Sequence, residues 1–183
     1  MNHAERFFVV TGGPGSGKSA LIEALREAGH QRTVEAGRGI IQDQMAIEGS
    51  ALPWCDPQFF AELMLSWDMR SYHMAEGKTG RVFFDRGVVD VIGYLRLLGR
   101  PVPRHMAKAA EVFRYNRRVF IAPPWKEIFA PDQERKQDFA EAVRTYEAMV
   151  GAYRDFGYEL IELPRLPVAE RMRFIVQNLP DGK

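Results

Sequence analysis

This sequence predicts an α/β fold: a parallel sheet held between two layers of helix. Three observations carry that reading. Short apolar, β-prone runs alternate with helical runs along the whole chain, the pattern of strands joined by helical crossovers. A glycine-rich octapeptide, Gly12-Gly13-Pro14-Gly15-Ser16-Gly17-Lys18-Ser19, stands between the first such run and the first helix. The composition, 46% hydrophobic and 27% charged over 183 residues, suits one globular domain with a sizeable core.

The elements follow in order. Residues 7–10 (Phe-Phe-Val-Val) form the first strand, and 20–28 a helix stopped by Gly29. Residues 31–34 are a short second strand. Residues 36–48 are helical, although Gly37 and Gly39 weaken the start. Asp56 and Pro57 open a long helix to about Glu76, with Asp56 as N-cap and Pro57 at the first helical position. Its apolar stripe is Phe60, Met64, Trp67 and Ser71. Residues 81–85 are the third strand. Helices are expected over 88–98, ended by Gly99 and Pro101, and over 103–115. Residues 118–121 form the fourth strand. Pro123 and Pro124 stop it, because proline cannot donate to a sheet ladder. A polar connection over 124–137 leads to Asp138, which with Glu141 makes an acidic version of a capping box. The helix after it should bury Phe139, Val143, Tyr146, Val150 and Tyr153. Residues 158–163 are the fifth strand, and 168–179 the closing helix. Crossovers should be right-handed. Ligands should sit beyond the carboxyl ends of the strands.

Composition narrows the function. A net charge of +1 points to neither bulk nucleic acid nor a membrane surface. Cys55 is the only cysteine, which excludes an internal disulfide and a cysteine-rich metal site. The chain reads directly into the first strand with no apolar run approaching about 18 residues, so a cytoplasmic location is expected. His3, His30, His73 and His105 show no ligand spacing.

The octapeptide fits G-x-x-x-x-G-K-[ST], and its strand and helix flanks are the context in which that pattern binds phosphate. Glycines let the backbone curl so that several N–H groups face one anion, backed by the positive end of a helix. Gly12, Gly13, Pro14, Gly15, Ser16, Gly17, Lys18 and Ser19, with Ala20 in the first helical turn, are therefore the expected nucleotide site. Lys18 would reach the β- and γ-phosphates, and the Ser19 hydroxyl would ligate Mg²⁺.

Other candidates stand at strand ends. Asp85 occupies the place of a Mg²⁺-holding acid. Arg86 offers a planar fork to phosphate oxygens, or a structural ion pair with Asp85 or Glu35. Glu35 could take the proton of an acceptor hydroxyl, or complement the dipole of the helix it precedes. Asp85 is assigned to Mg²⁺ and Glu35 to the acceptor; the residue pattern alone leaves the reverse open. The segment 124–137 reads as a lid that excludes water and brings cations, with Arg135 preferred and Lys136 second. Residues 164–167 would wall the nucleotide base, with Arg165 stacking on it. Trp54, Tyr94 and Arg70 could line an acceptor pocket.

With these residues in place, the chain resembles the kinase branch of the phosphate-loop NTPases. It is similar to small AAA-type predicted ATPases related to the nicotinamide riboside kinase domain and, more distantly, to deoxynucleoside kinases. The resemblance rests on 12–19, on Val34-Glu35-Ala36-Gly37-Arg38, on Phe84-Asp85-Arg86, and on the run from Gly157 to Arg171. It implies strand order 2-3-1-4-5, ATP with Mg²⁺, and a lid between the fourth strand and the next helix. It does not supply the acceptor.

A regulatory GTPase is disfavoured, since no Asn-Lys-x-Asp follows the fourth strand. Asp90-Val91-Ile92-Gly93 fits D-x-x-G but falls in a predicted helix. A transporter ATPase signature is absent, and the chain is short for a full AAA+ motor. Two classes remain: a small-molecule kinase of nucleoside or metabolite type, and an ATPase or nucleotide-binding regulatory module. A toxin-type sugar-nucleotide kinase is a narrower third. The expected partners are a nucleotide and a small-molecule acceptor, in a monomer or homodimer.

Overall fold

A computed structural model describes residues 3–130 and 138–180. Five parallel strands are ordered β2-β3-β1-β4-β5, as expected. They are β1 (Phe7–Gly12), β2 (Gln31–Arg32), β3 (Val82–Asp85), β4 (Arg118–Ala122) and β5 (Glu159–Glu162). The helices are α1 (Lys18–Glu27), α2 (Ala36–Ala46), α3 (Pro57–Glu76), α4 (Val88–Leu97), α5 (Arg104–Val112), α6 (Phe139–Asp155) and α7 (Val168–Gln177).

β1 is central and wholly buried, and its alternation divides the molecule. Phe7 and Val9 join a core with Val82, Phe84 and Val119 under α3, α4, α5 and α6. Phe8 and Val10 join Phe83 and Phe120 under α1 and α7. These two cores make three layers, α/β/α. A smaller cluster of Ile40, Ile41, Leu52 and Phe60 ties α2 to α3.

Local signals hold where they are self-contained. Asp56 caps α3 by accepting from Phe59 N at 3.0 Å, and Asp138 caps α6 by accepting from Glu141 N at 2.7 Å. β2 is shorter than expected: only Gln31 and Arg32 pair with β3 as strand, and Thr33 adds one bond to Phe83 O at 2.9 Å. Two stripes differ from expectation. On α3 the main core takes Ala61, Leu65, Asp68, Tyr72 and Ala75, while Phe60, Met64 and Trp67 face α2. On α6 the buried set is Ala142, Thr145, Met149, Ala152 and Tyr153, leaving Phe139, Val143, Tyr146 and Val150 half-buried. Small residues let this helix approach its neighbours closely. A Cβ added to Gly93 of α4 would lie 2.5 Å from Met149 Sδ, and one on Gly13 would lie 2.4 Å from Ala142 O.

Candidate active site

The octapeptide joins β1 to α1 and curls over the carboxyl end of the sheet. Gly17 has φ 75°, the left-handed geometry that delivers the chain into α1. Ser16 Oγ donates to Gly13 O at 2.8 Å, and Lys18 Nζ donates to Gly13 O at 2.6 Å and to Ser16 Oγ at 3.2 Å. The ammonium thus lies across the loop. From behind, the buried Arg171 of α7 donates from Nη1 to Ser16 O at 3.0 Å.

A cavity of about 300 Å³ opens over the loop. Gly15, Lys18, Ser19 and Ala20 line it, together with Glu35, Arg38, Asp85 and Arg86. The structure therefore brings the candidates from three strand ends to one place. Ile128 and Ala130 close one side. A Cβ on Gly15 would fall 2.4 Å from the Phe129 ring, so that ring rests against the loop; it also packs edge-on against Phe139 at 5.5 Å. The 124–137 connection was expected to be polar with few apolar contacts, yet in its described part Ile128 and Phe129 pack against the loop glycines Gly17 and Gly15. Arg135 and Lys136 lie outside the described residues. Arg165 is exposed, with Nε donating to Pro124 O at 3.1 Å, so the 164–167 turn touches the start of that connection.

Arg86 carries the densest chemistry. Its φ is 68°, a conformation rare for a residue with a side chain. Nε donates to Glu35 Oε1 at 3.3 Å and Nη1 to Asp90 Oδ1 at 3.2 Å. Burial opposes its charge, but Glu35, Asp90 and Asp85 outweigh burial and hold the guanidinium firmly protonated. Glu35 is the N-cap residue of α2, yet its side chain makes no capping bond. Burial pushes Asp85 up to about 6; Glu35 adds to the rise, and Lys18 and Arg86 oppose it. Asp68, buried on α3, is raised well above the carboxylate range by burial and then by Asp90, with Arg86 acting against. Glu35, Asp68, Asp85 and Asp90 thus gather around Arg86, with Lys18 and Arg38 lining the same cavity as Glu35 and Asp85.

Sequence reading missed Asp90. It is 5% exposed and accepts from Thr11 Oγ1 at 2.5 Å, Tyr153 Oη at 2.6 Å, Gly87 N at 2.9 Å, and Arg86. Its i,i+4 spacing from Arg86 was the available signal. Arg38 and Arg171 stood in the runs that carry the resemblance, but neither was singled out for a role at the site.

A second cavity, about 250 Å³, adjoins the first, and Pro14, Glu35 and Arg86 line both. Its other walls include Ile41, Trp54, Phe60, Met64, Tyr94 and Met149. Trp54 and Tyr94, two of the three residues considered for an acceptor pocket, both line this cavity. Arg70 instead lines a separate cavity of about 610 Å³ between α2, α3 and the β2 edge.

A Mg²⁺ ion fits the donor set over the loop, where the Ser19 hydroxyl and the Asp85 carboxylate line one cavity. Among the described residues no cluster of three or more His, Cys, Asp or Glu could form an all-protein metal cage. Mg²⁺ characteristically takes one or two protein oxygens with phosphates and waters. Among the described residues no helix is long and apolar enough to cross a membrane.

Comparison with known structures agrees with this architecture. The NadR protein in complex with NR superposes with a TM-score of 0.71 at 16% identity, over 99% of this chain and 53% of that one. Deoxyadenosine kinase from M. mycoides with bound dATP gives 0.56 at 12% identity, over 94% and 98% of the two chains. Shikimate kinase from Acinetobacter baumannii in complex with shikimate gives 0.56 at 13%, over 94% and 91%. This chain spans about half the length of the NadR protein. At these identities the likeness is one of fold. Comparison with curated protein sequences gave no match. The family model described as AAA domain matches residues 7–171, and with a phosphate loop between β1 and α1 and a 2-3-1-4-5 sheet, the chain belongs to that family.

Proposed function

We propose that this protein is a kinase of small molecules, which moves the γ-phosphoryl group of ATP to an acceptor hydroxyl. The observation that carries the reading is the wall shared by the two cavities. Glu35 and Arg86 border both the phosphate loop and an adjoining, mainly apolar cavity. A pure ATPase has no use for a second cavity opening on the same carboxylate.

The nucleotide phosphates lie on the N–H groups of Gly15 to Ser19, with Lys18 turning from Gly13 O toward the β- and γ-phosphates. Ser19 and Asp85 would hold Mg²⁺, which would supply neutralisation of phosphate charge. The Ser19 hydroxyl and the Asp85 carboxylate, which line one cavity over the loop, suit such an ion. Glu35 takes the proton of the acceptor hydroxyl as its oxygen bonds to the γ-phosphorus; the bond from that phosphorus to the bridging oxygen breaks, leaving ADP and a phosphate monoester. Arg86 steadies Glu35 and faces the transferring group. The connection over 124–137 acts as a lid that brings Arg135 to the phosphates, and Arg165 borders the base. The setting for such chemistry is the cytoplasm, in a single nucleotide-binding domain.

Mg-ATP titration and ADP release, with and without a panel of alcohols, test this. Lys18→Ala should abolish turnover in a folded protein, and the wild type should release ADP faster with an acceptor. Normal turnover in Lys18→Ala, or basal ADP release that no alcohol raises, would remove the kinase reading.

A further inference from the structure

We propose that the cavity beyond Glu35 and Arg86 takes a small alcohol with an apolar or aromatic body and no phosphate or carboxylate group. That this alcohol is the phosphate acceptor rests on the kinase reading; its chemical class rests on the cavity walls.

The first observation is size and polarity. The cavity is about 250 Å³, below the usual range for drug-sized ligands. Ile41 of α2, Phe60 and Met64 of α3, Leu97 of α4 and Met149 of α6 give it apolar sides. Burial of a ligand body against them is favourable only for apolar surface.

The second is charge. Asp90 and Glu35 line the cavity beside one cation, Arg86, and among the described residues no lysine or second arginine lines it. Arg86 is already engaged by Glu35 and Asp90. A phosphate or carboxylate entering here would be desolvated beside these carboxylates, and among the described residues no uncommitted fork lines the cavity to receive it. Discrimination against anions is therefore built from repulsion as well as from a missing partner.

The third is Tyr94. Its ring meets Phe60 edge-on at 5.6 Å, and its hydroxyl is buried with no hydrogen-bond partner among the described residues. Burial pushes that hydroxyl up to about 12, so it stays a neutral donor. A buried hydroxyl left without a partner is unfavourable. A ligand with one polar atom opposite Tyr94 relieves it. Asp90 cannot serve the ligand in the same way, because its oxygens already accept from Thr11, Arg86, Gly87 and Tyr153.

The test uses the whole chain with Mg²⁺ and ADP, followed by thermal shift and calorimetry. The probes are matched alcohols that differ by one anionic group: hydroxymethylbenzamide against hydroxymethylbenzoate, pantothenol against pantothenate, and thymidine against its 3′-monophosphate. The neutral member should bind at least about tenfold more tightly in the pairs that bind. Tyr94→Phe should weaken the best neutral probe about tenfold without lowering the melting temperature of the ligand-free protein, because it removes a hydroxyl that has no partner there. Anionic members binding as well as neutral ones, or no neutral probe binding at all, overturns the proposal. So does a Tyr94→Phe protein that melts earlier and binds the probe unchanged. The same probes are then tried with ATP. Neutral probes that bind but receive no phosphate remove the kinase reading and leave the ligand class standing. Phosphate transfer to an anionic probe overturns the ligand class and leaves the kinase reading standing.

Discussion

Replacing Asp90 by alanine should be the most damaging single change at the site, although Asp90 is given no part in the chemistry. Its carboxylate accepts from two hydroxyls, one backbone N–H and one guanidinium, and it is 5% exposed. Hydrogen bonds to a charged group contribute about 1.5–3 kcal/mol each, but four bonds to one group do not add. Removing one partner of a buried ion pair costs about 3–5 kcal/mol. Arg86 keeps Glu35 at 3.3 Å, which limits the damage on that side. We expect a loss of about 4 kcal/mol, a large share of the roughly 5–15 kcal/mol that holds a domain folded. Asp90→Asn keeps the shape but turns one acceptor into a donor, and should lose about 2–3 kcal/mol. Tyr153→Phe removes a single bond and should lose about 1–2 kcal/mol. Urea unfolding followed by circular dichroism gives all three, provided the slopes agree. A loss below about 1 kcal/mol in Asp90→Ala, or a Tyr153→Phe loss equal to it, would refute the hub as described.

The remaining predictions concern the carboxylates around Arg86. Glu35→Gln should leave Mg-ATP affinity nearly unchanged and lower kcat by roughly 10²–10⁴, the usual range for losing a general base; Asp85→Asn should weaken Mg-ATP binding and turnover together. The opposite pattern in titration and steady-state kinetics would exchange the two roles. Asp85 rises from 3.8 to about 6 on folding, so the native state holds its proton to higher pH than the unfolded chain. Its contribution therefore falls as pH climbs from about 4 to about 6 and is flat above, by up to about 3 kcal/mol. Unfolding of metal-free protein across that window should show the fall in wild type and not in Asp85→Asn; equal slopes would contradict the raised value. Asp68→Asn should leave stability at neutral pH within about 1 kcal/mol, because burial already favours the uncharged acid; a loss above about 2 kcal/mol would mean that Asp68 is ionised and paired.

The fold was legible because its signals are local. Strand and helix alternate in the sequence, Asp56 and Asp138 stand where caps form, and the octapeptide sits between a strand and a helix. The faces of α3 and α6 were less legible. Apolar spacing marks the large side chains, whereas close helix packing buries the small ones, such as Ala142 against Gly13 and Ala152 in the core. Glu35, Asp85 and Arg86 were readable as strand-end residues. Asp90 was not, because Thr11 and Tyr153, its partners, lie 79 and 63 residues away in sequence. The same holds for Arg171, which reaches Ser16 from 155 residues along the chain. The apolar cavity was visible only as the isolated residues Trp54 and Tyr94, since its walls come from four helices.

The central claim is that phosphate leaves ATP for a carbon-bound oxygen and not for water. ATP labelled in its γ-phosphate, incubated with the protein, Mg²⁺ and the alcohol that binds best, tests this directly. The label should appear in a phosphate monoester of the alcohol, and Glu35→Gln should slow its appearance. Label found wholly in inorganic phosphate, at the same rate with and without the alcohol, would contradict the account.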